Sequence, residues 1–244
     1  MKKKTSEDQE ILALKRVAKY RREFLGNVSH ELKTPIFTIQ GYIHTLIDGA
    51  LEDSNVNRKY LLRTSKSIDR LISIIEDLDA LAKLESEELE LELTNWDLLD
   101  LTQEVFDFFE IKSTEKKITL SINCSLNTVM VLADKEKINQ VLLNLVSNAI
   151  KYGKENGCVS INIFSELDGF NISIQDDGIG ISSNNISRVF ERFYRVDKGR
   201  SRSQGGTGLG LAIVKHIVEA HNQKIEIKSE VDKGTKISFK LKKV

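Results

Sequence analysis

Cysteine, proline and tryptophan are nearly absent. The 244 residues contain two cysteines, one proline and one tryptophan. Two thiols, Cys124 and Cys158, are too few for a disulfide framework or a Cys-based zinc site. Each falls in an apolar-alternating segment, so both read as core thiols in a reducing compartment. No run long enough to cross a bilayer occurs. Charge-free segments such as Leu120–Ala133 and Ile138–Ile150 fall short of the roughly 20 apolar residues needed. A leader pattern is missing too, because Lys2–Lys4 run into Ser6, Glu7 and Asp8 and not into apolar residues. Net charge is absent: 36 Lys+Arg balance 36 Asp+Glu, which removes any whole-chain case for nucleic-acid binding. With Pro35 as the sole proline, long uninterrupted helices are expected near the start.

What is present is 40% apolar residues, enough to bury a core at this length, and charge that is sorted along the chain. Residues 1–22 carry eight Lys/Arg against three acids, residues 76–110 thirteen acids against Lys83 alone, and residues 188–202 six Lys/Arg against two acids. From Ile11 the apolar positions continue through Leu14, Ala18, Leu25, Val28, Leu32, Ile36, Ile39, Ile43 and Leu46. That 3-and-4 spacing is one stripe on one helix, ended by Asp48-Gly49. A second stripe runs Leu61, Ser65, Ile68, Ile72, Ile75, Leu78, Ala82. Two long helices joined by a short loop make an antiparallel hairpin, which cannot bury its own stripe; dimerisation into a four-helix bundle would.

After an acidic connector at 85–93 the period changes. Asp97–Glu110 reads as a helix with Leu98, Leu101, Val105 and Phe108 inward. Strands are predicted around Ile118–Cys124, Val129–Ala133, Val159–Ile163, Phe170–Ile174, Ile225–Ile227 and Ile237–Leu241, with helices over 135–152 and 209–221. The second half is therefore a mixed sheet covered by helices.

Two sites stand out. His30 lies in Val28-Ser29-His30-Glu31-Leu32-Lys33-Thr34-Pro35. At 100° per residue it sits about 200° from both Val28 and Leu32 of the stripe, hence outward. A surface histidine is commonplace by itself; its neighbours raise the interest. Glu31 can orient the imidazole and accept its proton, leaving the other nitrogen nucleophilic. Thr34 follows one turn later on the same face, and Pro35 removes a helical hydrogen bond beside the group. The second site gathers four segments. Asn144, Asn148 and Lys151 share a helix face that suits a Mg²⁺–triphosphate. Asp176-Asp177-Gly178-Ile179-Gly180-Ile181 ends a strand with an acceptor for an amino group and glycines that admit a ligand. Val189–Arg195 opens the basic segment, and Gly205-Gly206-Thr207-Gly208-Leu209-Gly210-Leu211 leads into a helix whose free amides suit phosphate. Lys198–Gly205 between them reads as a closing lid. An isolated Asp-x-Gly-x-Gly is a weak signal, and no Gly-x-x-x-x-Gly-Lys-[Ser/Thr] occurs.

Val28–Pro35 resembles the H-box of the sensor histidine kinases of two-component signalling, and the later segments resemble their N, G1, F and G2 boxes in order. The resemblance covers nearly all of residues 20–242. It implies a helical hairpin dimerising into a four-helix bundle, followed by a GHKL (Bergerat) α/β sandwich: 1–22 a signal-transmitting helix, 23–88 dimerisation and phosphotransfer, 89–96 a hinge, 97–244 ATP binding. It implies His30 as phospho-acceptor, Glu31 as base and Thr34 as the residue aligning a water for dephosphorylation. ATP and Mg²⁺ are the implied cofactors. Asp176 would read adenine, Asn148 hold Mg²⁺, Asn144 and Lys151 support the phosphates, and Arg195 with the amides of Gly206–Gly210 embrace them. Tyr152, Gly178, Gly180, Ile181, Phe190, Thr207, Gly208 and Leu209 complete the implied pocket. Gly153 departs from the family, which commonly has Thr or Ser there. The implied partners are a cognate response regulator and a second copy of the chain, with no nucleic acid, and a membrane only through an upstream sensor segment. The implied location is cytoplasmic. In detail the chain is similar to the phosphate-regulon type. The rival reading is a GHKL ATPase working as a conformational clamp, and a third is a scaffold with a decayed pocket. The histidine motif weighs against the first, and intact Asn148, Asp176, Gly208 and Gly210 against the second.

Overall fold

The computed structural model describes residues 2–85, 90–196 and 206–244, with the side chains of most of residues 2–21 left aside. The chain divides into two compact units, 1–78 and 79–244.

The first unit is made of α1 (Lys2–Thr45) and most of α2 (Asn57–Glu85). Helix α1 runs on through Pro35. It unwinds over Leu46–Ala50, where Gly49 takes φ 114°, a left-handed value that a glycine adopts without a Cβ penalty. Arg70 meets Glu31, and Tyr60 meets Tyr42 with ring centroids 5.6 Å apart. Residue numbers fall on one helix as they rise on the other, so the hairpin is antiparallel. Its apolar stripe stays open: Leu25, Ile36, Ile43, Ile68, Ile72 and Ile75 are exposed.

The second unit is a seven-stranded sheet: β1 (Thr94–Asp97), β2 (Thr119–Cys124), β3 (Met130–Ala133), β4 (Cys158–Glu166), β5 (Gly169–Asp176), β6 (Glu226–Glu230) and β7 (Gly234–Lys243), in the order β1-β3-β7-β5-β4-β2 with β6 also on β7. Its helices are α3 (Leu98–Glu115), α4 (Lys135–Tyr152), the single turn α5 (Ser183–Ile186) and α6 (Gly210–Ala220). Alternation sets one apolar face. The row Ile122–Ile161–Ile174–Ile237 crosses four paired strands in register, and Ile163–Ile172–Phe239 lies beside it. Helix α4 presents Ile138, Val141, Leu142, Leu145 and Ala149 inward and packs on α3, α6, β4 and β5. Asp97 caps α3 through the Leu99 amide at 3.0 Å, and Asp134 caps α4 through the Lys137 amide at 3.0 Å. No helix among the described residues is long and apolar enough to cross a membrane.

The structure corrects two readings. Phe108 is 67% exposed and Phe109 is buried instead. The inner face of α3 continues Leu98, Leu101, Val105, Phe109, a 3-4-4 progression that turns Phe108 outward. Cys158 is no core thiol: it is exposed, because the buried residues of β4 are Val159, Ile161 and Ile163 and position 158 has the other parity. Cys124 keeps the inner parity but lies on the edge strand β2 and is only partly covered. In addition, Thr94–Asp97 pairs with Met130–Ala133, so the sheet takes up the end of the stretch read as a hinge. Residues 90–93 before it have no regular secondary structure, and residues 86–89 lie outside the described residues.

Candidate functional site

His30 is exposed on α1, as the stripe geometry requires. The Thr34 hydroxyl donates to the His30 carbonyl at 3.2 Å, and the Thr38 hydroxyl to the Thr34 carbonyl at 2.8 Å. Pro35 has no N–H to give the Glu31 carbonyl, and the threonine hydroxyls around it bond neighbouring carbonyls of the helix, as Thr45 does with Gly41 further along at 2.9 Å. The Glu31 carboxylate accepts from Arg70 Nη2 of α2 at 2.8 Å, with both side chains largely buried. Arg70 escaped the sequence reading because it lies 39 residues away; only the hairpin register brings it to Glu31.

The nucleotide-type residues form a second site, in the other unit. Strand β5 ends at Asp176, whose carboxylate accepts from the Gly178 amide at 2.8 Å and from the Thr235 amide. Burial pushes this carboxyl above the usual aspartate range, and the two amides pull it back only in part. The turn after it is clamped on both sides. The Ile179 amide donates to the Tyr152 carbonyl at the end of α4 at 3.2 Å, the Asp232 amide to the Ile179 carbonyl at 2.9 Å, and the Ile181 amide to Ser229 Oγ at 2.8 Å. Gly178 and Gly180 are required here. A Cβ on Gly178 would stand 2.9 Å from the Tyr152 carbonyl carbon, and one on Gly180 (φ 64°) 2.6 Å from that of Glu230.

On α4, Asn144, Asn148 and Lys151 are all half-buried, on the face away from Leu142, Leu145 and Ala149. The Lys151 ammonium lies 5.0 Å from the centre of the Tyr152 ring. Burial raises the Tyr152 phenol above its usual value, opposed by the positive charge of Arg195. The C-terminal carbonyls of α4 are held from outside: Lys116 Nζ donates to Ile150 O at 2.9 Å and to Lys151 O at 2.8 Å. A cation at a helix C-terminus is favourable. No short-range motif announces it, since the partners are 34 and 35 residues apart.

The glycine segment closes the cradle. Gly206 sits against Lys151, and a Cβ on Gly210 would stand 2.6 Å from Asn144 Oδ1. Gly208 has φ 78°, and a Cβ there would stand 2.9 Å from the Phe193 Cα. The Phe193 amide donates to the Gly208 carbonyl at 2.8 Å, so the Phe190–Arg195 segment is tied to the loop before α6. The Thr207 hydroxyl accepts from the Leu209 amide at 3.1 Å, and Leu209 is buried. Tyr194 is fixed by its hydroxyl on Asn185 at 2.7 Å and by the Arg188 guanidinium 4.3 Å from its ring centre. The lid expected at Lys198–Gly205 lies outside the described residues.

The residues fit a nucleotide with Mg²⁺. Three glycines bring the loop backbone against Lys151, Asn144 and Phe193, closer than a Cβ would allow. Among the described residues no group of three or more His, Cys, Asp or Glu converges, so a bound cation here would depend on an amide oxygen and phosphate oxygens, a donor set that suits Mg²⁺.

Residues 20–87 match the family described as "His Kinase A (phospho-acceptor) domain", and residues 133–244 match "Histidine kinase-, DNA gyrase B-, and HSP90-like ATPase". The sensor histidine kinase WalK of Bacillus subtilis (strain 168) is 40% identical over 223 residues, covering 91% of this chain and 36% of WalK. The chain thus spans about a third of that relative's length. Among solved structures, histidine kinase ThkA in complex with response regulator protein TrrA matches with TM-score 0.75 and 27% identity, over 96% of this chain and 67% of that one. Full-length ShkA in complex with AMPPNP matches with TM-score 0.68 and 27% identity, over 91% of this chain and 46% of that one. None of these three is named as a phosphate-regulon sensor.

Proposed function

This chain belongs to the histidine kinases that join a phospho-acceptor domain to a gyrase- and HSP90-like ATPase domain, and on that premise we propose that it phosphorylates His30 from ATP and passes the phosphoryl group to an aspartate of a response regulator. The observation that carries the reading is an exposed His30, beside a carboxylate fixed in place by Arg70, in a chain that also holds a glycine-lined cradle. Residues 23–88 are assigned to dimerisation and phosphotransfer, 97–244 to ATP binding, 89–96 to a hinge and 1–22 to signal transmission.

In the pocket, Asp176 accepts from the adenine amino group. Asn144, Lys151, Arg195 and the amides from Gly206 to Gly210 hold the phosphates, and Tyr152, Ile181 and Phe190 wall the space. Mg²⁺, with Asn148 as its protein ligand, supplies charge neutralisation on the phosphates. One neutral nitrogen of His30 attacks the γ-phosphorus in line. A P–N bond forms, the bond from phosphorus to the bridging oxygen breaks, and ADP leaves. The proton on the other nitrogen passes to Glu31. An aspartate oxygen of the regulator then takes the phosphoryl group, the P–N bond breaks, and Glu31 returns its proton to the leaving imidazole. Thr34, its proton committed to the His30 carbonyl, orients a water by accepting from it, which makes the protein a regulator phosphatase as well. The open stripe on α1 and α2 is assigned to a second copy of the chain. Dependence on ATP and a regulator assigns the reaction to the cytoplasm.

The test is incubation with [γ-³²P]ATP and Mg²⁺ beside His30→Gln. Acid-labile, base-stable label on the wild type and none on the variant is the expected result. Phosphate release with no protein label, equal in both, would overturn the reading in favour of an ATPase clamp.

A further inference from the structure

Ser229 lies on β6, outside every motif of the nucleotide site, yet its hydroxyl is saturated by parts of that site. It accepts from the Ile181 amide at 2.8 Å, donates to the Gly234 carbonyl at 2.8 Å, and lies 2.8 Å from Thr235 Oγ1. A hydroxyl has one proton and two lone pairs. With its proton on Gly234 and one lone pair taken by Ile181, the other accepts from the Thr235 hydroxyl. The three partners belong to the two segments that hold the Asp176 carboxylate. Gly178, in the turn that ends at Ile181, gives its amide to that carboxylate, and Thr235, the register partner of Asp176 on β7, gives another. Neither segment has room to shift. Gly180 is pressed against the Glu230 carbonyl, and Gly234 (φ 105°) against the backbone of Asp176 and Asp177.

We propose that Ser229 is a positioning residue for base selection. Its hydroxyl locks the 178–181 turn to the start of β7 and so holds the Asp176 carboxylate in the direction that accepts from an amino group and rejects a carbonyl. The inference rests on the reading of Asp176 as the adenine acceptor. Guanine presents a carbonyl oxygen where adenine presents its amino group, so a rigid carboxylate separates the two bases and a loosened one does so less well. Removing the hydroxyl also leaves the Ile181 amide and the Gly234 carbonyl without their partner inside a packed turn.

The experiment is calorimetric titration of the whole chain with ATP and, separately, GTP, for wild type, Ser229→Ala and Ser229→Thr, with thermal melting of each. For Ser229→Ala, ATP affinity should fall about tenfold while the much weaker GTP affinity stays within about twofold, so that discrimination drops about tenfold. Ser229→Thr keeps the hydroxyl and should restore discrimination. Unchanged ATP and GTP affinities in Ser229→Ala, with wild type binding ATP, overturn the inference and leave the ATP reading standing. Equal losses for both nucleotides together with a lowered melting temperature overturn it as a general structural effect. A wild type that binds neither nucleotide removes the ATP reading, and the inference falls with it. Should Ser229→Ala fail to fold, Ser229→Cys, of the same shape with a weaker hydrogen-bonding atom, enters the same titration under the same criteria.

Discussion

The helical hairpin and the α/β unit are both written in regularly spaced apolar residues, but only one of them hides those residues. In the α/β unit the strand rows and helix faces close on each other, and Ile161, Ile172, Leu142 and Ile213 are fully buried. In the hairpin, Pro35, Leu46 and Ile74 are the buried apolar side chains among the described residues up to 78, while Ile36, Ile43, Ile68, Ile72 and Ile75 remain open. A sheet with helices on one face supplies two layers from a single chain, whereas two helices supply one and a half. The unit assigned to nucleotide binding thus buries its own core, and the unit assigned the nucleophile leaves its apolar stripe open.

The largest expected effect lies in the self-sufficient core. Phe239→Ala should cost about 3–5 kcal/mol in urea denaturation of the α/β unit. A loss under about 1 kcal/mol would mean that this core is not the packed body described above. Next comes the open stripe. Ile43→Asp places a charge on the surface assigned to the second copy. Sedimentation should show the dimer dissociation constant raised at least about tenfold, ~1.4 kcal/mol, with ATP affinity unchanged. An unaltered dimer would detach the stripe from dimerisation. The smallest effect is a pH dependence in the α/β unit. Burial raises the Asp176 carboxyl, so the native state holds its proton more readily than the unfolded chain does. Its contribution to stability is most favourable in acid and declines as pH rises through the raised value. Nucleotide binding runs the other way, because the acceptor is the ionised carboxylate. ATP affinity should decline, as pH falls, at a higher pH than an exposed aspartate would impose. Calorimetric titrations across that range, with Asp176→Asn as the control expected to lack this step, check it. A wild-type profile parallel to that of Asp176→Asn would sink the assignment.

Much of the fold was legible because period reports burial. The 3-and-4 spacing of α4 and the alternation of β4, β5 and β7 coincide with the helix and strands observed. Strand β1 was not legible, since Thr94–Asp97 is four residues long with one buried side chain, Trp96. Phe108 and Phe109 are adjacent and equally apolar, and the buried face that continues from Leu98, Leu101 and Val105 to Ser113 takes in Phe109 and leaves Phe108 outside. For Cys158, its place in an apolar-alternating segment favoured the core, and its parity within β4 overruled that. The same division runs through the site. Its motifs are contiguous, so His30, Asp176 and the Gly206–Gly210 loop could be picked out one by one. Their supports are not: Arg70 on Glu31, Lys116 on the end of α4 and Ser229 on Ile181 act across 39, 34 and 48 residues respectively.

The order of residues by itself determined which groups are chemically eligible: an exposed histidine beside a carboxylate, an acid before two glycines, and a glycine loop before a helix. Tertiary structure alone decided how those groups are held. A carboxylate direction or a backbone turn is fixed by hydrogen bonds from whichever segments the sheet register and the hairpin bring alongside, and no local pattern encodes that meeting.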